Sequence, residues 1–174
     1  EEVVGGGGRG GGATAGFEAA TGYSLVHYAA LHGSVNVAQF LVARYGPELL
    51  LSGGKGGVTC LHVAAMRGRK AFLQAMVPVA LKANTFSAFA STAPEQALSS
   101  LLSRAEASGG ATLLHLACFH GRPLTAEWLV ESGASLESKD LEMRSPIDCA
   151  KDQGHAGLAA DLKLLRTNPT TSAV

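Results

Sequence analysis

The sequence predicts an all-α solenoid of about four stacked helix-turn-helix repeats with finger loops and one insertion. Three observations carry that expectation. A short pattern recurs along the chain, opening and closing on Gly with a hydroxyl residue just inside it. The same pattern places His at one fixed position. Apolar residues make up 47% of the chain but aromatics only 6%, so the core is built from Ala, Leu and Val in closely packed helices.

The first copy is Gly22-Tyr-Ser24-Leu-Val-His27-Tyr-Ala29-Ala30-Leu-His-Gly33. The second is Gly57-Val-Thr59-Cys-Leu-His62-Val-Ala64-Ala65-Met-Arg-Gly68, and the third is Gly110-Ala-Thr112-Leu-Leu-His115-Leu-Ala117-Cys118-Phe-His-Gly121. A weaker fourth runs Met143-Arg-Ser145-Pro146-Ile-Asp148-Cys-Ala150-Lys-Asp-Gln-Gly154, with Asp148 in the His position.

Taken in chain order, residues 1–16 read as a flexible tail. Gly5 to Gly8, Gly10 to Gly12 and Gly16 dominate it, and Gly loses the most backbone entropy on ordering while offering no side chain to bury. One Arg, Arg9, is too few for a Gly-Arg RNA-binding tract. Within each copy, Ser24, Thr59, Thr112 and Ser145 stand where a hydroxyl caps a helix by accepting from a free backbone N–H. Pro146 then fills the first helical position, where its missing donor costs nothing. Leu61, Ala64 and Ala65 at i, i+3 and i+4 form one apolar face. Gly33, Gly68, Gly121 and Gly154 close the helix as left-handed caps. A second helix follows, through Val37, Phe40 and Leu41, then Leu124, Trp128 and Leu129, then Leu158, Leu162 and Leu165. Gly46 and Gly133 end two of them.

The spacing from His27 to His62 is 35 residues, from His62 to His115 it is 53, and from His115 to Asp148 it is 33. The middle interval therefore carries an insertion of about 20 residues. Pro78 is expected to break the second helix of copy two early, since an interior Pro removes a hydrogen bond and forces a kink. The insertion, residues 83–107, contains Phe86 and Phe89. Pro94 starts a short amphipathic helix within it, through Ala97, Leu98, Leu101 and Leu102. That helix either packs back on the stack or docks a partner.

These copies resemble the ankyrin repeat, whose fingerprint is Gly-x-Thr-Pro-Leu-His-x-Ala followed by a Gly, with a period of about 33. The resemblance covers roughly residues 17–166, with repeats at about 20–52, 55–82, 108–140 and 141–166, and a C-terminal tail at 167–174. It implies that the His and its preceding hydroxyl residue are structural, tying finger loop to helix, with residues 134–142 forming one such finger. It also implies a non-catalytic protein-interaction scaffold or adaptor, binding a protein partner through a concave groove without a cofactor. The alternative is the substrate-recruiting region of a larger enzyme such as a ubiquitin ligase, kinase or acyltransferase.

The chain departs from the pattern in several places. Cys60 occupies the Pro slot. The first repeat follows a glycine tail where a polar capping repeat is normal, and the chain begins at Glu1. Either it is cut from a longer array or residues 17–20 fold over the open face. Asp152, Asp161, Lys163 and Arg166 suit a polar cap on the last copy.

Composition narrows the function further. Fourteen basic and fourteen acidic residues leave no net charge, which argues against nucleic acid as a partner, because such binding displaces counterions with surplus basic groups. No apolar run is long enough to insert in a membrane, and no basic-then-apolar leader opens the chain. Three Cys at 60, 118 and 149 form no disulfide or zinc pattern, so an intracellular location, cytoplasmic or nuclear, and a monomer are expected. His27, His62 and His115 fall on separate repeats about 8–10 Å apart and cannot share a metal ion. Gly53-Gly54-Lys55-Gly56-Gly57 lacks the spacing of a phosphate loop and reads as a finger turn.

The candidate partner-binding residues precede each closing Gly: Leu31 and His32, Met66 and Arg67, Phe119 and His120. Those after each opening position join them: Tyr23, Val58, Ala111 and Arg144. By the resemblance all face the groove, and Leu31, Met66 and Phe119 would make an apolar stripe edged by basic groups. The competing expectation is that they pack into neighbouring repeats. Residues 17–82 carry six basic and two acidic groups, whereas residues 104–174 carry seven basic and nine acidic. Such a gradient would orient a docking partner.

Overall fold

The computed structural model describes residues 22–87 and 94–167. The expectations for the glycine tail, for residues 17–20, for Phe89 and for residues 168–174 lie outside the described residues.

In chain order the helices are α1 (Leu25–His32), α2 (Val35–Tyr45), α3 (Cys60–Met66), α4 (Lys70–Ser87), α5 (Pro94–Leu102), α6 (Leu113–Phe119), α7 (Pro123–Glu131), α8 (Pro146–Asp152) and α9 (Ala156–Thr167). Among the described residues there is no strand. Four helix pairs stack into two layers. The first helices, α1, α3, α6 and α8, form one row in which each touches its neighbours, and the second helices, α2, α4, α7 and α9, form the other. Ala29, Ala30, Ala64, Ala65, Ala117, Cys118 and Ala150 are all buried along the first row. Side chains this small let neighbouring helices approach closely, and larger ones would overpack the seam. Leu41, Phe72, Leu73, Met76, Leu129 and Leu162 fill the space between the layers.

One expectation is corrected and one pair of alternatives is resolved. Pro78 does not break its helix: α4 continues to Ser87, so helix extends past the expected start of the insertion at residue 83. Pro78 and Gln74, one turn back, are both on the exposed side, where water can satisfy the carbonyl that loses its partner. Met76, Val77, Ala80 and Ala83 meanwhile carry the buried face onward. Second, the alternatives for the Pro94 helix resolve toward packing: Ala97, Leu101 and Leu102 are buried and α5 lies against α4. Between the first two pairs, a 3-10 turn over Pro47–Leu51 buries Leu50 under α4, and the Cys60 thiol donates to the Leu50 carbonyl at 3.4 Å. Asp152, Asp161 and Lys163 are exposed on the last pair.

Candidate functional site

The site is built outward from the start of each first helix. In every repeat the side chain three residues into the motif helix accepts from the cap residue's own N–H. His27 Nδ1 takes Ser24 N–H at 3.2 Å, His62 takes Thr59 at 3.1 Å, His115 takes Thr112 at 3.3 Å, and Asp148 takes Ser145 at 3.1 Å. The Thr112 and Ser145 hydroxyls return the bond, accepting from His115 N–H and Asp148 N–H. This is a capping box with imidazole in place of the usual Glu or Gln.

Because Nδ1 accepts, the proton sits on Nε2, and Nε2 donates to a backbone carbonyl in the next segment. His27 reaches Val58 at 2.9 Å, His62 reaches Arg104 at 3.0 Å and His115 reaches Arg144 at 3.1 Å. Burial lowers the pKa of all three, with the carbonyl bonds opposing, so they stay neutral. Asp148 has no Nε2–H to extend. The Ser145 hydroxyl and N–H hold its carboxyl down to about 2, and Lys139 and Lys151 lie within 3.9 and 3.4 Å.

These bonds position three fingers, each closed by a backbone bond: Gly54 N–H to Val58, Glu106 N–H to Ala111 and Asp140 N–H to Arg144. Adjacent fingers are laced together by Ala107 N–H to Gly56 and Leu141 N–H to Gly109. The Gly53–Gly57 tract is the first finger, with Lys55 exposed. At the opposite end of the first helices, Arg69 Nε donates to Leu31 C=O and Arg122 Nε to Met66 C=O, each at 3.1 Å. Both arginines lie over the preceding repeat's closing glycine, and His155 lies over Gly121 in the same way. A basic residue type, Arg69, Arg122 or His155, directly follows the closing Gly in three copies of the sequence, a signal outside the twelve-residue motif.

None of the ten candidate groove residues is buried: Tyr23, Leu31, Val58, Met66, Ala111, Phe119, His120 and Arg144 are half-buried, and His32 and Arg67 are exposed. Tyr23, Leu31 and Val58 pack partly against the core, and Tyr23 stacks on His27 with ring centres 5.0 Å apart. Four candidates come together. Ala111, Phe119, His120 and Arg144 line a cavity of about 240 Å³ between the third and fourth repeats. Tyr23, Leu31, His32, Val58, Met66 and Arg67 lie outside it.

The cavity also has walls that the motif did not single out: Glu106, Leu116, Asp140, Leu141 and Glu142. Glu106 is buried and accepts from Gly109 N–H at 2.7 Å, Ser108 N–H at 3.2 Å and the Ser108 hydroxyl. Asp140 is buried too and accepts from Glu142 N–H, Arg144 N–H and the Arg144 guanidinium, at 2.9, 2.8 and 3.0 Å. Burial opposes its ionisation, but the Arg144 bonds win and hold its carboxyl below the usual range. Burial lowers the pKa of His120, aided by Arg122 and Arg67 nearby.

A family model for ankyrin repeats, in three copies, matches residues 27–140. The chain belongs to the ankyrin repeat family. The ankyrin match ends at residue 140, yet α8 and α9 complete a fourth pair with the same cap geometry. No curated protein sequence matches the chain. Among solved structures, it is similar to a chain in the crystal structure of the yeast ribosomal protein Rps3 in complex with its chaperone Yar1. The two share 19% identity with a TM-score of 0.66 over 80% of this chain and 89% of that one, a likeness of fold. Among the described residues no helix is long and apolar enough to cross a membrane.

Proposed function

We propose that this ankyrin-repeat chain is a non-catalytic scaffold that binds a protein partner through its concave groove and finger loops. One observation carries the reading. The residues before each closing Gly and after each opening position stay half-buried or exposed in every repeat, while the residues between them, apart from Leu25, Tyr28, Leu116, Asp148 and Lys151, are buried. A row of side chains left accessible by a scaffold that buries its neighbours is suited to contact. The similar yeast chain comes from a complex of two proteins, which fits this reading. Three free, buried thiols suit a reducing intracellular compartment.

Affinity capture from a source-cell lysate tests it, with the wild-type chain and the Met66→Glu/Phe119→Glu double variant side by side. Circular dichroism and cooperative urea unfolding establish that the variant folds. A protein held by the wild type and lost by the folded variant supports the groove. Capture of the same set by both sinks it.

A further inference from the structure

We propose that the third finger, with its tip Leu141-Glu142-Met143, and the cavity beside it anchor a partner segment in which a Lys or Arg adjoins an apolar side chain. The inference rests on the groove reading and adds which end of the groove is used and what it takes.

The first observation is a backbone conformation. Among the described residues Met143 is the only non-glycine at positive φ, at 60°, and it occupies the slot that Gly22, Gly57 and Gly110 hold in the other repeats at 65°, 75° and 67°. An L side chain in that region is disfavoured by contact of Cβ with the following carbonyl, so Gly would serve the fold better here. Methionine gives the core nothing in exchange: its side chain is 73% exposed, and Leu141 two residues earlier is 71% exposed. Two large apolar groups stand mostly exposed at one fingertip, Met143 held against its backbone preference and Leu141 resting only one edge on Gly110.

The second observation is rigidity. Asp140 grips the tip through Glu142 N–H, Arg144 N–H and the Arg144 guanidinium. Leu141 N–H is tied to Gly109 C=O at 3.0 Å. A preorganised tip loses little entropy when a partner docks, and an unbranched thioether adapts to irregular apolar contacts.

The third is charge. Three carboxylates, Glu106, Asp140 and Glu142, line the cavity against a single guanidinium, Arg144. The formal balance is two negative charges beside an apolar floor of Leu116 and Phe119. An acidic segment would meet uncompensated like charge there, and a cationic one meets its complement.

The probes are two fluorescein-labelled peptides, identical except for a Leu-Lys-Leu or a Leu-Glu-Leu centre, titrated into the ¹⁵N-labelled chain and its variants. The Lys peptide is expected to shift the amides of Glu106 to Phe119 and Asp140 to Arg144, and to bind about tenfold more tightly than the Glu peptide. Met143→Gly is expected to raise Tm by about 2–4 °C while weakening the Lys peptide by about tenfold. Glu142→Gln is expected to weaken it several-fold with Tm unchanged. Gained stability with lost binding is a combination that a merely structural Met143 would not give. Equal binding of both peptides, or Met143→Gly binding as well as wild type, overturns the inference. If the Lys peptide instead shifts Leu31 and Met66 but not the third finger, the groove reading stands and this inference fails. No shift anywhere overturns this inference, and the groove reading is then decided separately by the capture experiment.

Discussion

Acidification from pH 7.0 to 5.5 should destabilise the repeat stack by at most about 4 kcal/mol through three histidines. His27, His62 and His115 are 0–1% exposed. In each the Nδ1 lone pair already receives the cap residue's N–H, so a second ring proton would break that bond in a buried site. Desolvation accordingly lowers their folded pKa below 6.5. The unfolded chain therefore binds protons first as pH falls, and stability is fully present above about 6.5 and drains away below it. A neutral imidazole held through pH 5.5 loses about 1.3 kcal/mol relative to pH 7, and three such groups give the ceiling. His120 is shifted the same way and adds to the fall. Asp140 and Asp148 do not contribute in this window, because depressed carboxyl pKa values lose their stabilisation only below about 3.8. Urea midpoints at pH 7.0, 6.0 and 5.5 measure the slope, and His62→Gln should remove about a third of it. Stability that is flat to within about 1 kcal/mol over that range would refute the reasoning, since the imidazoles would then be protonated in the native stack.

Three further outcomes follow from geometry. Gly68→Ala should lower stability by about 1–2 kcal/mol from its +67° φ alone, plus an increment because the added Cβ would sit 2.9 Å from Arg122 Cδ. Gly154→Ala, at +79° with nothing within 4 Å, isolates the backbone part, and equal thermal losses would show that the arginine clamp yields freely. Thr125 is 1% exposed and its hydroxyl finds no partner among the described residues, so Thr125→Val should stabilise by about 1 kcal/mol in urea unfolding; a loss of stability would mean that the hydroxyl is bonded. Cys60, Cys118 and Cys149 are buried, with thiols pushed by desolvation up to about 12, 12 and 11. A colorimetric disulfide reagent at pH 8 should label none of them in the native chain and all three in denaturant; rapid native labelling would contradict the burial.

The repeat motif was legible because its signals are local. Ser24, Thr59, Thr112 and Ser145 cap helices three residues away, and Gly33, Gly68, Gly121 and Gly154 terminate them through their own dihedrals. Short-range chemistry of this kind is written into a window of twelve residues. Of the ten groove candidates eight are half-buried, and His32 and Arg67 are exposed. Pro78 misled because the local penalty was judged without the buried face of α4, whose Met76, Val77 and Ala80 keep the helix going. The Arg104 carbonyl that receives His62 could not be read from the register either, since the repeat pattern points to Ala111 and only the folded insertion brings Arg104 into reach.

The sequence by itself determined the four-pair architecture and the hydroxyl cap that opens each first helix, because each depends on residues within one or two helical turns. The tertiary structure alone decided that Glu106, Asp140 and Leu141 wall a single cavity with Phe119 and Arg144. It also set α5 against α4 and left Met143 strained and exposed at a fingertip. Those outcomes depend on how loops of unequal length meet across repeats, where closure and packing, rather than local propensity, fix the positions.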